Sequence, residues 1–357
     1  MIDFRSDTVT VPSIQMRAAM VTADVGDDVF CEDQTIKKLE ERVALMFNKD
    51  AALFFPSGTM SNLTALLTWC HNRGSEFIVG DNSHMFLFEQ SGAAQFGGVS
   101  PRTIPNLPNG TFDLHAVKLA IRDNDIHEPI TQLICIENTH NACGGRVLPI
   151  CFMETLKTLA DTHNIPVHLD GARIWNAINA LGVKPHEISS HVTSLSVCLS
   201  KGLGAPIGSL LVGPSEFIKK ARRIRKGLGG GMRQVGILGA AGIHALNDFD
   251  KGILLNDHIR TQKLAAAIRN LKSFKIRGDS QDIQTNIIFA DIVLYDKSWN
   301  EKMIASIVNN LLKEKGVTVS VWSDSLIRFV VHRDINDDAI EKTIQALKEV
   351  DEYLSKF

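Results

Sequence analysis

Between about residues 35 and 255, short and almost uninterrupted apolar runs alternate with stretches of helical spacing. A strand that is apolar at successive residues must be covered on both faces, because neighbouring side chains point to opposite sides of a sheet. Ala51–Phe55, Phe77–Gly80, Leu133–Ile136, Val167–Leu169, Ser194–Leu199 and Gly208–Val212 are runs of this kind. Thr35–Phe47 carries its leucines and valines at helical spacing, and Pro56–Thr59 turns into a helix through Leu63, Leu66 and Leu67. The alternation predicts an α/β fold, a mainly parallel sheet with helices on both faces. In such sheets ligands bind beyond the carboxyl ends of the strands.

The texture changes near Asn256, after a long helical pattern that runs from the Gly229–Gly231 triplet to about Asp250. A helix over Ile259–Leu271 is expected to precede three β-rich segments, Thr285–Val293, Val317–Trp322 and Leu326–His332. An amphipathic helix over about Ala339–Leu354 closes the chain. This organisation predicts an N-terminal segment (1–12), a large α/β domain (13–255) and a smaller C-terminal α+β domain (256–357).

Charge excludes some partners. Lysine plus arginine total 38 and aspartate plus glutamate 40, which leaves no excess of positive charge for nucleic acid. No apolar stretch approaches the roughly 18–20 residues of a membrane span, and the opening residues Ile2–Asp7 carry charge where a signal peptide needs an apolar core. Six cysteines are scattered without a CxxC pair. They read as free thiols in a reducing, cytoplasmic compartment. No metal-ligand spacing is found.

The chemistry gathers at the predicted strand ends. Within Ser196–Ser209 an apolar stretch ends in Lys201, and the chain then bends through Gly202, Gly204 and Gly208. An amine desolvated there is a competent nucleophile toward a carbonyl. Val167–Arg173 ends a neighbouring run in Asp170. A lysine and a carboxylate on adjacent strand ends suit pyridoxal phosphate (PLP), the lysine for the Schiff base and the acid for the pyridinium nitrogen. A solvated lysine and a turn-forming aspartate would leave the same local pattern. Ser57, Gly58 and Thr59 sit where a helix N-terminus would offer donors to a phosphate, or where Ser57 is simply a cap. His84 follows a strand, and His127 stands in the less informative Asp125–His127 run. Glu137–His140 either closes a turn or lines a cofactor face. Arg173, three residues beyond Asp170, offers a planar fork to a carboxylate, and Arg328 is a charge embedded in an apolar strand.

Seven motifs, in order along nearly the whole chain, resemble those of the L-threonine aldolases: Arg5–Thr10, Gly26–Val29, Ser57–Thr59, Glu137–His140, His168–Arg173, Cys198–Gly204 and Gly229–Gln234. That family implies the aspartate-aminotransferase fold, PLP as cofactor, and retro-aldol cleavage of threonine or allo-threonine, β-hydroxy amino acids, to glycine and acetaldehyde. By the same resemblance Lys201 carries the cofactor, Asp170 pairs with its ring nitrogen and His84 stacks on the ring. Ser57, Gly58 and Thr59 cradle the phosphate, Ser200 and Arg173 also bind the cofactor, and Arg233 reaches the phosphate from the neighbouring subunit of a dimer, itself expected to pair into a tetramer. Ser6, Arg173 and Arg328 hold the substrate carboxylate, which places the N-terminal segment near the active site. His84 and His127 are the candidate bases for the β-hydroxyl proton. The chain departs from the family at Phe30-Cys31, where many relatives have Tyr-Gly. A serine hydroxymethyltransferase-like enzyme, a β-eliminating lyase and a non-catalytic PLP-fold protein are the alternatives.

Overall fold

The computed structural model describes residues 1–278, 283–294 and 303–355. Packing divides the chain into two units, and the first strand, β1 (Ile2–Asp3), lies in the smaller one. The larger unit comprises Pro12–Ser200 and Ala205–Asn247; the smaller takes Met1–Val11, Lys201–Gly204 and Asp248–Phe357. The change of texture at Asn256 lies inside a helix, Ile253–Ile268, that belongs wholly to the smaller unit.

Seven strands form the sheet of the larger unit: β2 (Ala51–Phe55), β3 (Ser75–Gly80), β4 (Ser100–Ile104), β5 (Ile130–Glu137), β6 (Val167–Gly171), β7 (Ser194–Cys198) and β8 (Ser209–Gly213). Their order is β2-β8-β7-β6-β5-β3-β4. Neighbours from β4 to β7 are parallel, while β8 is antiparallel to both β7 and β2, so β8 alone opposes the other six. Strands β3, β6, β7 and β8 are buried at every residue, as their continuous apolar character requires. The edge strand β4, Ser-Pro-Arg-Thr-Ile, is mostly exposed. Its proline and charge suit an edge and hide it from a search for apolar runs.

Helices follow the strands with recognisable caps. Asp33 accepts from the Ile36 N–H to start Gln34–Met46, whose Ile36, Leu39 and Val43 face the core. Ser57 does the same with Met60 for Gly58–Trp69. The helix Gly236–Asp250 crosses Gln34–Met46 closely: a side chain at Gly239 would begin 3.2 Å from the Ile36 Cα. A buried charge cluster also ties the helix Ser215–Gly227 to β2. Arg225 bonds Asp28 at 2.8 Å and the Phe54 carbonyl at 2.6 Å, while Glu40 accepts from the Phe54 N–H at 2.8 Å. Burial pushes Glu40 up to about 7, against the pull of Arg222.

The smaller unit holds a four-stranded antiparallel sheet in the order β12-β13-β10-β9, formed by β9 (Phe274–Ile276), β10 (Ile287–Ile292), β12 (Ser320–Ser323) and β13 (Leu326–Val330), while β11 (Val317–Thr318) lies outside it. The expected continuous segment Val317–Trp322 is broken. Strand β11 pairs with β1, and β12 pairs with β13. Between them the Val319 N–H is taken by the Asn309 side chain at 3.1 Å. Helices Ile253–Ile268, Ile304–Glu314 and Asp337–Leu354 complete a core that includes Phe4, Phe329 and Leu347. Among the described residues, no helix is long and apolar enough to cross a membrane.

Candidate active site

In the larger unit the parallel register of β5 and β6 places Glu137 beside Asp170 at the carboxyl ends of the strands. Asp170 is 2% exposed. One of its oxygens accepts from the Ala172 N–H at 3.0 Å, and the other, Oδ2, is buried with no hydrogen-bond partner. A buried acceptor of this kind is costly unless a ligand donor meets it. Glu137 clamps two loops instead: one oxygen accepts from the His84 N–H at 2.7 Å and the other from the Asn141 N–H at 2.9 Å.

His84 opens the short helix His84–Leu87 that follows β3. Its Nδ1 lies 3.0 Å from the buried carboxylate of Glu89. A His84 ring nitrogen and one oxygen each of Glu89 and Asp170 all lie within 4.8 Å of one another. Burial opposes a charge on the His84 ring, but the bond to Glu89 and the charges of Asp170, Glu89 and Glu137 outweigh it, so the imidazole titrates above its usual range. Burial likewise lifts Glu89 above the ordinary carboxylate range, with the His84 bond opposing. Glu89 stands outside every motif in the sequence, five residues beyond His84 and past the end of the helix that His84 opens.

Ser57, Gly58 and Thr59 start the 12-residue helix Gly58–Trp69. Its first amides have no partner inside the helix and point at whatever lies before it. Beside this turn the Ser209 hydroxyl is buried without a hydrogen-bond partner, 3.5 Å from where a Gly58 side chain would begin. Arg173 is buried at the start of Ile174–Leu181, its guanidinium donating to the Asn141 side-chain oxygen Oδ1 at 3.4 Å. Ser200 lies just past β7, its hydroxyl 3.4 Å from the Cys198 sulfur. These contacts bring His84, Glu89, Glu137 and Asp170 together, with Arg173 joined through Asn141.

Two of the sequence candidates lie apart from that network. The His127 side chain is 84% exposed and bonds Asp125 at 2.7 Å. Arg233 is 54% exposed and pairs with Asp27 at 3.1 Å. Among the described residues, neither is hydrogen-bonded to His84 or Asp170. Phe30 is exposed, and Cys31 adopts φ +61, a left-handed conformation in which glycine is unstrained.

The smaller unit holds the remaining candidates. Arg328 donates to the Arg5 carbonyl at 2.9 Å and so lies beside the Arg5–Ser6 peptide; its guanidinium sits 4.8 Å from the Trp322 ring. The Ser6 hydroxyl accepts from the Thr8 N–H at 3.2 Å. Lys201 begins a turn whose carbonyl accepts from the Gly204 N–H at 2.8 Å and the Thr10 hydroxyl at 2.9 Å. Arg333 closes the turn by donating to the Leu203 carbonyl at 2.6 Å. Gly204 has φ +76, and a side chain there would begin 2.6 Å from Arg333.

The profile of the beta-eliminating lyase family matches residues 3–292. Low-specificity L-threonine aldolase 1 of Arabidopsis thaliana is 43% identical over 350 residues, covering 98% of this chain and 96% of the relative. The low specificity L-threonine aldolase of Escherichia coli K12 is 41% identical, covering 95% and 96%. The solved threonine aldolase of Leishmania major superposes with a TM-score of 0.81 at 18% identity, covering 98% of this chain and 100% of that one. The structural likeness supports the expected aspartate-aminotransferase fold. Together, the full-length identity and the fold place the chain in the threonine aldolase family.

Proposed function

We propose that the chain cleaves L-threonine or L-allo-threonine to glycine and acetaldehyde with PLP as cofactor. The observation that carries this reading is the partnerless Oδ2 of Asp170, buried within reach of His84 at the end of β6. That acceptor fits a protonated ring nitrogen, and the partnerless Ser209 hydroxyl beside the Ser57–Thr59 turn fits a phosphate. Asp170 and His84 would therefore hold the ring, and Ser57, Gly58, Thr59 and Ser200 the phosphate. When bound, PLP supplies a sink for the electron pair left on Cα.

The remaining work falls to side chains. Lys201 would hold the cofactor through its side-chain amine. Arg173, Ser6 and Arg328 are the candidates for the substrate carboxylate, and the grip on that group sets which bond at Cα is aligned to break. His84 removes the β-hydroxyl proton, with His127 or a water as the other candidate; such a base contributes about 10²–10⁴ in rate. Arg233 acts on the phosphate of a neighbouring subunit in a homodimer that pairs into a tetramer in the cytoplasm. Mixing inactive Lys201→Ala and Arg233→Ala proteins is then expected to restore part of the activity, measured as acetaldehyde release. No recovery would refute the shared site.

The test of the reaction is a steady-state comparison of L-threonine, L-allo-threonine, D-threonine and L-serine with added PLP and no folate. Acetaldehyde and glycine in equal amounts from the L-threonine isomers are expected. Pyruvate from L-serine as the main product would favour a β-eliminating lyase, and turnover only with folate a hydroxymethyltransferase. A protein that stays colourless with added PLP and shows no borohydride-reducible adduct at Lys201 would favour the non-catalytic alternative.

A further inference from the structure

Glu89 receives the end of a buried hydrogen-bond chain whose direction can be worked out from donor chemistry alone. The Trp69 indole N–H donates to the Ser194 hydroxyl at 3.0 Å, since an indole nitrogen has no acceptor role. At the far end Glu89 Oε1 accepts from the Asn62 amide nitrogen at 2.9 Å. The opposite amide orientation would set oxygen against carboxylate oxygen. Asn62 therefore turns its carbonyl oxygen to His168 Nε2, 3.2 Å away, and His168 must carry its proton there. Burial lowers His168 to about 4, so its ring is neutral and has no second N–H. His168 Nδ1 consequently accepts from the Ser194 hydroxyl at 3.0 Å. Every proton from Trp69 to Asn62 points along the chain toward Glu89, and Asn62, His168 and Ser194 are all buried.

A chain so directed leaves Glu89 one role. The oxygen that accepts from Asn62 also faces His84 Nδ1, and an acceptor already fixed by a donor on one side recruits a donor on the other. We infer that Glu89 is a positioning residue for His84, holding the imidazole as its Nδ1–H form so that the Nε2 lone pair is the one available to remove a proton. Among the described residues, three acidic groups face His84: Glu89 at its ring, Glu137 at its backbone N–H, and Asp170 by charge. Among the described residues, only Glu89 bonds the ring nitrogen Nδ1 and so selects the tautomer. The catalytic half of the inference rests on the threonine-cleavage reading above, whereas the tautomer does not.

The experiment is nitrogen-15 NMR of histidine-labelled protein, PLP-free and PLP-loaded, with kinetics of two variants. Wild-type protein is expected to show His84 protonated at Nδ1 and bare at Nε2 on the basic side of its titration. Glu89→Gln keeps an oxygen able to accept from both Asn62 and His84 but loses the charge. The His84 titration is expected to move down, and kcat for threonine to fall about tenfold to a hundredfold, a fraction of what a general base supplies, with KM changing less than about threefold. Glu89→Ala removes the acceptor, and His84 is expected to shift toward the Nε2–H form. An Nε2–H tautomer in the wild type, or an unchanged tautomer in Glu89→Ala, would overturn the inference even in an enzyme that cleaves threonine. The predicted tautomer in a protein that does not cleave threonine would uphold the positioning role and refute the reaction instead.

Discussion

Lys201→Ala is expected to abolish threonine cleavage, with a loss of at least about four orders of magnitude, while the fold persists. The size follows from removing the nucleophile of a concerted set, which leaves little for the other members to do. The persistence follows from the turn. What holds residue 201 is its carbonyl, bonded to the Gly204 N–H and the Thr10 hydroxyl, and neither bond involves the lysine side chain. Far-ultraviolet circular dichroism and thermal unfolding near those of wild type, together with loss of acetaldehyde release and of the borohydride-trapped PLP adduct on the peptide containing residue 201, would meet the expectation. Turnover within tenfold of wild type would remove Lys201 from its proposed role.

Asp170→Asn has the second-largest expected effect, a fall in kcat of about 10²–10³-fold, as for the loss of one aligned electrostatic partner. Asparagine keeps the shape and the oxygen that accepts from Ala172, but removes the charge. Its signature lies in stability as well as rate. Oδ2 is buried without a protein partner, so the PLP-free protein gains little from that oxygen and the substitution should leave its unfolding temperature near or above the wild-type value. The stabilisation on adding PLP should shrink: a hundredfold weaker affinity removes about 2.7 kcal/mol at fixed PLP. Differential scanning calorimetry with and without PLP separates the two effects. An early-unfolding PLP-free variant would mean that Asp170 is chiefly structural.

The legibility of these residues in the sequence followed their distance along the chain from what they contact. Asp170 was readable because β6 is buried at every residue and carries that acid at its last position but one. The Ser57 cap was readable because its partner, the Met60 N–H, is three residues away. Glu89 was not, because its role depends on Asn62, 27 residues away, and through it on His168 and Ser194. The edge strand β4 lacks the apolar run that marks an interior strand, and Ile14–Val21 buries only Met16, so neither carried a periodic signal. The break at Val319 depends on a side chain, Asn309, that spacing alone does not connect to it.

Residues Lys201–Gly204 leave the larger unit between Ser200 and Ala205 to pack with the N-terminal segment and the C-terminal third, through Thr10 and Arg333. The consequence concerns how such a chain can be recombined. A chimera joined at 247/248 would inherit its lysine turn from one parent and the groups that seat it from the other. The exchangeable block is therefore discontinuous: residues 1–11, 201–204 and the segment from Asp248 onward would have to travel together. Four residues in mid-chain thus bar the protein from being shuffled as two consecutive cassettes.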